Sequence, residues 1–282
     1  MPETQKGRLG RKGAGPSHTQ RPQHASDTGY AADLSPASLE KALAEGHIQA
    51  AYQPIVALDS GAVIAEEALA RWIMRDGSAI PAAAFIEIAA VSGQLSAIDE
   101  TVLAQTLTRC QGRRAAGQPP RLHFVNISTA LLCAPDRLAR LAGVVAACGT
   151  PIATDDPRLR SLVVEITERE PIPQLAALAG MLRPLLTAGV RLALDDFGSG
   201  YSSFLYLADL PISYLKIEQA LVARAGHDAR IDAMIRSIVR LAGDLGITTI
   251  AEGIESAASA QAVAALGVSW GQGYHFGRPA CQ

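Results

Sequence analysis

Residues 190–203 read VRLALDDFGSGYSS, and this stretch indicates the fold more directly than any other. Its first five residues predict a mostly apolar strand that ends in Asp195 and Asp196, and a glycine-rich loop follows. A buried strand is not expected to end in two acids without partners, because a buried and unpaired carboxylate costs several kcal/mol. The usual partner is a cation, so the segment predicts a metal site. Taken alone, the segment also fits an acidic turn with solvated side chains.

The same arrangement of an apolar strand ending in an acid or an amide recurs along the chain. Residues 162–164 lead into Glu165, residues 247–251 lead into Glu252, and residues 122–125 lead into Asn126. Runs of this kind, separated by helical stretches, indicate strands that are buried on both faces and joined by crossover helices. The sequence therefore predicts βα repetition.

Two of the intervening helices are visible in the hydrophobic periodicity. Residues 231–242 keep the spacing of an amphipathic helix, and Gly246 is a plausible stop. Ser96 and Asp99 read as a capping box that opens a second helix. The inward side of this second helix is predicted to consist of Ile98, Val102, Leu103, Leu107 and Cys110.

About eight strands can be marked in the sequence. They lie at 51–56, 63–69, 122–126, 162–166, 190–194, 214–217, 247–252 and 268–271. The count and the length of the chain predict an α/β fold, a (β/α)8 TIM-like barrel of about 250 residues with an N-terminal extension. Since active sites of such barrels lie at the C-terminal strand ends, polar residues near those ends are expected to converge. These residues are Glu67, Asn126, Glu165, Asp195, Lys216, Glu252 and Gln272.

Composition bounds the function without identifying it. A net charge of −2 argues against binding of polymeric nucleic acid, and the hydrophobic fraction of 49% is enough for a sizeable core. Residues 1–33 are basic and poor in large apolar side chains, which predicts a disordered tail before a domain at 34–282. The longest apolar region, 141–153, is too short and too interrupted for a membrane span. Four cysteines without metal-binding spacing are interpreted as reduced thiols of a cytoplasmic protein.

The ordered set of motifs resembles the EAL-domain phosphodiesterases, the family that cleaves the bacterial messenger cyclic di-GMP. The similarity runs roughly from Leu39 to Pro279. No single tripeptide is specific, but the ordered series is. Its members are Tyr52-Gln53-Pro54-Ile55-Val56, Glu67-Ala68-Leu69-Ala70-Arg71-Trp72, Val125-Asn126-Ile127-Ser128, Glu165-Ile166-Thr167-Glu168, the Asp195 to Ser203 loop, Leu215-Lys216-Ile217, Ala251-Glu252-Gly253-Ile254-Glu255 and Gln272-Gly273-Tyr274.

The resemblance implies a site for two divalent ions, Mg²⁺ or Mn²⁺, since hard oxygen ligands suit both. Glu67, Asn126, Glu165 and Asp195 resemble the ligands of one ion. Asp195, Asp196 and Glu252 resemble the ligands of the second, with Asp195 bridging the two. Two ions about 3.5–4 Å apart can hold a hydroxide in line with phosphorus and stabilise the leaving oxygen.

Further roles follow from the same resemblance. Lys216 is similar to the family lysine that contacts the attacking water, and it forms the expected catalytic set with Glu252 and Gln272. Arg71 is similar to the arginine that contacts phosphate, and Gln53 occupies a position that contacts substrate. Glu168 and Glu255 resemble residues that brace the loop 196–203 and couple it to metal binding and to dimerisation. The implied partners are cyclic di-GMP and a second copy of the chain.

Three positions depart from the family pattern, and two alternative functions remain open. Ala90 stands where an acid is common, Ser199 where Thr is common, and Glu218 where Asp usually follows Lys-Ile. Glu218 matters most, because a longer acid beside Lys216 could misplace the lysine. The expected function is hydrolysis of cyclic di-GMP to linear pGpG. The alternatives are a non-catalytic cyclic di-GMP receptor that signals through a protein partner and an interaction module that binds no nucleotide.

Overall fold

The computed structural model describes residues 34–119, 121–148, 162–167, 175–199 and 203–281. The predicted basic tail, 1–33, lies outside these residues, as does Glu168. The division between a tail and a domain at residue 34 therefore stays a prediction.

Nine strands in the described residues form one sheet that closes into a barrel. In the order β1-β9-β8-β7-β6-β5-β4-β2, eight strands form a ring that closes through the pairing of β1 with β2, and β3 extends β2 as a hairpin. This confirms the predicted barrel. The strands are β1 (Ile48–Ala57), β2 (Val63–Ile73), β3 (Ala79–Pro81), β4 (Leu122–Asn126), β5 (Leu162–Thr167), β6 (Arg191–Phe197), β7 (Ile212–Ile217), β8 (Thr248–Ala251) and β9 (Trp270–Gln272).

Helices connect the strands. They are α1 (Pro36–Ala44), α2 (Ile86–Val91), α3 (Leu95–Ala115), α4 (Thr129–Leu132), α5 (Pro135–Ala147), α6 (Leu175–Thr187), α7 (Ser203–Asp209), α8 (Gln219–Val222), α9 (Ala229–Asp244) and α10 (Ala257–Ala265). A short 3-10 turn, Ala82–Ala84, precedes α2. Among the helices that the structure describes, none has both the length and the hydropathy needed to cross a bilayer.

Strand β1 runs antiparallel to both of its neighbours, whereas the other ring strands pair in parallel. The physical reason is the connection 58–62, which joins β1 to β2. A parallel crossover needs a dozen or more residues, so five residues can only form a hairpin. Gly61 closes this hairpin with a φ of 69° and donates its amide to the carbonyl of Ala57 at 2.8 Å. One strand of the predicted barrel is therefore reversed.

Apolar side chains fill the interior of the barrel. The ring of Phe124 lies 5.1 Å from that of Tyr214, which in turn lies 5.2 Å from that of Trp270. The same cluster contains Ile55, Ala65, Leu122, Val163, Ala193 and Ile250. Because side chains alternate between faces of a strand, the residue two positions further along a parallel strand also points into the barrel. The apolar cluster thus forms a floor, and the next inward position on each strand stands above it.

The helix predictions have mixed outcomes. Helix α9 ends as predicted, with Gly246 at a φ of 70° just beyond its C-cap. Helix α3 buries its predicted inward side chains. The capping box is wrong, since Ser96 and Asp99 lie buried inside α3 and Gln94 is the N-cap. The carboxylate of Asp99 instead accepts hydrogen bonds from the amide and hydroxyl of Ser128, at 2.9 and 2.6 Å.

Close backbone contact fixes the ends of β8 and β9 to each other. The amide of Ile254 donates to the carbonyl of Gln272, and the amide of His275 donates to the carbonyl of Ile254, both at 3.0 Å. Gly273 lies between these bonds, and a Cβ atom at this position would overlap backbone atoms of Ile254. Only glycine therefore fits where the chain leaves β9.

We expect Gly273→Ala to lower the free energy of unfolding by about 3 kcal/mol or more, because rigid backbone cannot move aside as a flexible side chain can. Chemical denaturation of the purified variant would measure the loss. Gly243→Ala in α9 is the matched control, since its Cβ would meet no atom within 4 Å. A Gly273→Ala protein as stable as this control would show that the contact is not tight in solution.

Candidate active site

A buried lysine stands at the centre of the site. Lys216 follows the floor residue Tyr214 by two positions on β7, and its side chain is 1% exposed. Its ammonium lies 2.8 Å from Oε1 of Glu165 and 2.8 Å from Oε1 of Glu252. Oδ1 of Asp195 and Oε2 of Glu67 lie at 3.3 and 3.4 Å. Residues from five ring strands or their ends thus converge on one nitrogen atom, as the sequence predicted.

Two side-chain amides donate to Glu67, and a third holds one of those two. Asn126 donates from Nδ2 to Oε1 of Glu67 at 2.8 Å, and Gln272 donates from Nε2 to Oε2 at 2.6 Å. Nε2 of Gln272 also donates to Oε1 of Gln53 at 3.1 Å. Nε2 of Gln53 in turn donates to the carbonyl of Gly277 at 3.1 Å. Gln53 is 7% exposed, so in this structure it positions Gln272. Its contact with a substrate stays a prediction.

A bulge in β6 brings both adjacent aspartates to the same cluster. Leu194 pairs with Leu215 and Phe197 pairs with Ile217, so Asp195 and Asp196 together stand opposite Lys216. In a regular strand two neighbours would point to opposite faces, and a bulge changes this direction. Oxygen atoms of Asp195, Asp196 and Glu252 accordingly lie within 4.8 Å of one another.

The bulge places Asp196 in the left-handed region, at a φ of 57°. Among the described residues other than glycine, Asp196 alone has a positive φ. Its amide donates to Oδ1 of Asp195 at 2.9 Å. Such backbone costs about 1–3 kcal/mol and is found preferentially at functional sites.

The charges of the cluster fit a divalent cation. Five carboxylates face one ammonium, so four negative charges remain uncompensated if all five are ionised. Burial and the charge of Glu67 raise the pKa of Glu165 well above its ordinary value. Burial lowers the pKa of Lys216, but the surrounding carboxylates, Asp195 foremost, outweigh burial and raise it. Buried Oε2 of Glu165 accepts no hydrogen bond from the described residues, so it is available as a metal ligand.

Arg71 lies at the rim of the site, on the same face of β2 as Glu67. Its guanidinium is half-buried and donates to the carbonyl of Ala70 at 2.8 Å. Burial lowers the pKa of Arg71, and Cys281, Tyr274 and Glu67 oppose this effect. The guanidinium of Arg278 lies over the ring of Tyr274, 4.2 Å from the ring centroid. Sequence reasoning gave neither Tyr274 nor Arg278 a role, although an aromatic residue and a cation just after a predicted strand end were a usable signal.

Glu66 points to the outside of the barrel, where it is 3% exposed. Arg109 of α3 binds both of its oxygens, Arg121 donates to Oε2 at 3.1 Å, and Nε2 of His123 lies 3.1 Å from Oε1. Burial raises the pKa of Glu66, but hydrogen bonds from His123 and Arg109 hold it far below its ordinary value. The sequence analysis missed this network. Two consecutive acids in a strand were the signal, because neighbours in a strand face opposite sides.

The remaining predicted positions are less informative. Glu255 is exposed, so its bracing role stays a prediction, as does that of Glu168 outside the described residues. Glu218 is half-buried, and its carboxylate is not one of the four within 4 Å of the Lys216 ammonium. The hydroxyl of Ser199 is buried without a hydrogen-bond partner among the described residues. Ala90 is exposed on α2.

Comparison with known proteins identifies one family across nearly the whole barrel. The family model of the EAL domain matches residues 37–279. The probable cyclic di-GMP phosphodiesterase PdeG of Escherichia coli is 33% identical over 242 residues, which are 86% of this chain and 46% of PdeG. The cyclic di-GMP phosphodiesterase RocR of Pseudomonas aeruginosa is 32% identical over 87% of this chain and 60% of RocR. The chain thus spans about half the length of these curated relatives.

Solved structures agree with the sequence relatives. The phosphodiesterase PaMucR in complex with c-di-GMP superimposes with a TM-score of 0.74 at 30% identity, covering 86% of this chain and 96% of PaMucR. An EAL domain protein from Listeria monocytogenes superimposes with a TM-score of 0.74 at 26% identity, covering 89% and 95% of the two chains.

The charge imbalance predicts a pH-dependent stability for the metal-free protein. Burial and Asp195 raise the pKa of Glu252 to about 8. A carboxyl group with a raised pKa in the folded state stabilises the fold below its ordinary pKa of about 4.5, and this contribution is lost as the pH rises towards the folded value. We therefore expect the melting temperature of chelator-treated protein to fall between about pH 5 and about pH 8, with no further contribution from Glu252 above that range.

Differential scanning fluorimetry would measure this fall, and Glu252→Gln is the matched variant. Because the amide does not titrate, the variant should lose less stability over the same pH range. The raised pKa of Lys216 has no effect here, since its contribution is lost only above the ordinary lysine value of about 10.5. An equal fall in both proteins would contradict the role of Glu252.

Proposed function

Because the chain belongs to the EAL domain family, we propose that it hydrolyses cyclic di-GMP to linear pGpG in a reaction that depends on Mg²⁺ or Mn²⁺. One observation carries the proposal. Every residue expected to bind metal is present, and its carboxylates converge with Lys216 above the floor of the barrel.

We assign two sets of metal ligands. Glu67, Asn126, Glu165 and Asp195 would hold one ion, and Asp195, Asp196 and Glu252 would hold the other. Bound divalent ions lower the pKa of a coordinated water and stabilise charge on the phosphodiester oxygens. Two such ions would neutralise the four uncompensated charges of the cluster, which supports a count of two.

Lys216 would act as a hydrogen-bond donor in this reaction. In the metal-free cluster the surrounding carboxylates, Asp195 foremost, raise the pKa of Lys216, and an ammonium offers three N–H donors. As a donor it would be suited to orient the attacking water through the water's oxygen. Glu252 lies 2.8 Å from this ammonium and would lie beside a water that the ammonium holds.

The amides have positioning roles. Gln53 holds Gln272, and Gln272 holds Oε2 of Glu67. Positioning errors of about 1 Å can reduce a rate about 10²-fold, so these amides are expected to affect turnover without touching the reacting atoms. Arg71 stands outside this chain of amides. Its guanidinium offers paired donors to a phosphate oxygen at the rim.

The structural observations favour the enzyme over the two alternatives. A receptor that only binds cyclic di-GMP has no need for a complete set of metal ligands, and an interaction module has no need for Arg71 or for the cluster. Four free cysteines, at positions 110, 133, 148 and 281, agree with the proposed cytoplasmic location.

We expect Glu67→Gln to reduce pGpG formation at least about 10³-fold, because a neutral amide is a weaker ligand for a divalent ion and can accept only one of the two hydrogen bonds that Asn126 and Gln272 donate to Glu67. Turnover would be measured by chromatography with Mg²⁺ or Mn²⁺. Glu40→Gln, which changes an exposed acid of α1, is the control and should keep wild-type activity.

A second pair of variants separates the enzyme from the receptor. Lys216→Ala should lower kcat far more than it raises KM, whereas Arg71→Ala should mainly raise KM. Binding of cyclic di-GMP without pGpG formation under any divalent ion would favour the receptor. No binding at all would favour the interaction module.

We further propose a homodimer through α7. Phe204 and Leu205 lie in the first turn of this helix and are 69% and 59% exposed. Two large apolar side chains side by side at the surface are typical of an interaction site. Helix α7 begins seven residues after Asp196 in the sequence, so a second copy would contact an element close in the chain to the proposed metal ligands.

Sedimentation equilibrium would test the dimer. We expect the wild-type protein to be dimeric and Phe204→Asp to be monomeric, because a charge in the interface cannot be solvated there. Met234→Asp is the control, since Met234 is 47% exposed on another helix, α9. A monomeric wild-type protein, or a dimeric Phe204→Asp protein, would contradict the assignment.

A further inference from the structure

A cavity of about 630 Å³ lies on the outer face of the barrel, between β1 and α3. Its walls consist of Gly46, Gln49, Ala50, Tyr52, Gln105, Thr108, Arg109, Gly112, Arg113 and Gln118. We call it the β1–α3 groove. Its size is within the range of sites for small molecules, about 300–1,000 Å³.

The groove exists because β1 is reversed. A parallel βα unit covers the outside of its strand with a crossover helix, but the hairpin 58–62 joins β1 to β2 without one. Helix α3 packs against β1. Gln105 of α3 accepts from the amide of Ala50 at 2.8 Å and donates to the carbonyl of Ile48 at 2.9 Å, so the strand edge is satisfied and the groove walls are fixed.

The charge of the groove is positive. Arg109 and Arg113 line it, and none of its ten described lining residues carries a carboxylate. The nearby acid, Glu66, is buried and already binds both Arg109 and Arg121. Burial lowers the pKa of Arg113, and the charges of Arg121 and Arg109 lower it further. The arginines thus repel one another, and an anion in the groove would relieve this repulsion.

The arginines are held in place before any ligand binds. The guanidinium of Arg109 lies 4.1 Å from the centroid of the Tyr52 ring and is paired with Glu66. Arg113 donates from Nη2 to the carbonyl of Pro119 at 3.2 Å. Donors fixed in this way lose little entropy on binding, and guanidinium groups match the geometry of phosphate oxygens.

We propose that the β1–α3 groove binds a small molecule through a phosphate group. Arg113 is the principal contact. Arg109 and the side-chain amides of Gln49 and Gln118, which also line the groove, are further donors. The site lies outside the barrel and is separate from the carboxylate cluster within it.

Titration of the full-length protein with inorganic phosphate in the presence of a chelator tests the proposal. Removing metal leaves the inner cluster anionic, so phosphate is not expected to bind there. We expect saturable binding, seen by calorimetry and as chemical-shift changes of the Gly112 and Arg113 amides. Arg71→Ala should bind phosphate as tightly as wild type, which separates the groove from the rim of the candidate active site.

Two variants block the groove by different means. Arg113→Glu reverses the charge of the principal contact. Gly112→Glu adds volume and negative charge where a Cβ would meet no atom within 4 Å, so the fold should be retained. Each should weaken phosphate binding about tenfold or more. Gly143→Glu in α5 is the matched control, because this glycine is also helical, exposed and open, but lies away from the groove.

Unchanged phosphate binding in both groove variants, or the absence of saturable binding in the wild type, would overturn the proposal. Acetate that binds as tightly as phosphate would overturn the assignment to a phosphate group. Loss of binding in Arg71→Ala would place the phosphate at the rim. These measurements use no hydrolysis assay, so their outcome is independent of the proposed enzymatic function.

Discussion

The ion pairs between one buried ammonium and four carboxylates determine the organisation of this barrel. Lys216 is almost fully buried, and burial of a charge is tolerated only when it is paired and hydrogen-bonded. Its partners, which include Glu165 and Glu252 at 2.8 Å, come from different strands. The strands must keep their register for these distances to hold. The excess of negative charge then makes the same cluster a cation-binding site, so one electrostatic constraint connects the fold to its proposed chemistry.

Strand alternation supplies the geometry for this constraint. Residues two positions before the cluster form the apolar floor, where Tyr214 packs between Phe124 and Trp270. Adjacent residues of β2 point to opposite faces of the strand: Glu67 points into the barrel and Glu66 points out of it. Glu66 and His123 are register partners of β2 and β4, and Glu67 bonds to Asn126 of the same β4. The outer network thus holds the strand pair that carries two of the proposed metal ligands.

Much of this arrangement could be predicted from the sequence, because buried parallel strands appear as apolar runs and their polar ends are conspicuous. The eight strands and the convergence of Glu67, Lys216 and Gln272 were predicted in this way. The direction of β1 was not predicted, because the hydrophobic pattern of a strand is the same whichever way the strand runs. The short connection 58–62 was a usable signal for it. The bulge at Asp195 and Asp196 could not be predicted, because it depends on pairing with β7. The capping box failed because tertiary contact with Ser128 prevailed over a local motif.

An anomalous diffraction experiment on crystals grown with Mn²⁺ tests the central claim most directly. The claim is that the carboxylate cluster around Lys216 binds divalent cations. The account predicts anomalous peaks for two ions, one bounded by Glu67, Asn126, Glu165 and Asp195, and one bounded by Asp195, Asp196 and Glu252. A map without a peak among these side chains, at a Mn²⁺ concentration that saturates other carboxylate sites, would contradict it. The lysine alone would then balance the cluster, and its role would be structural.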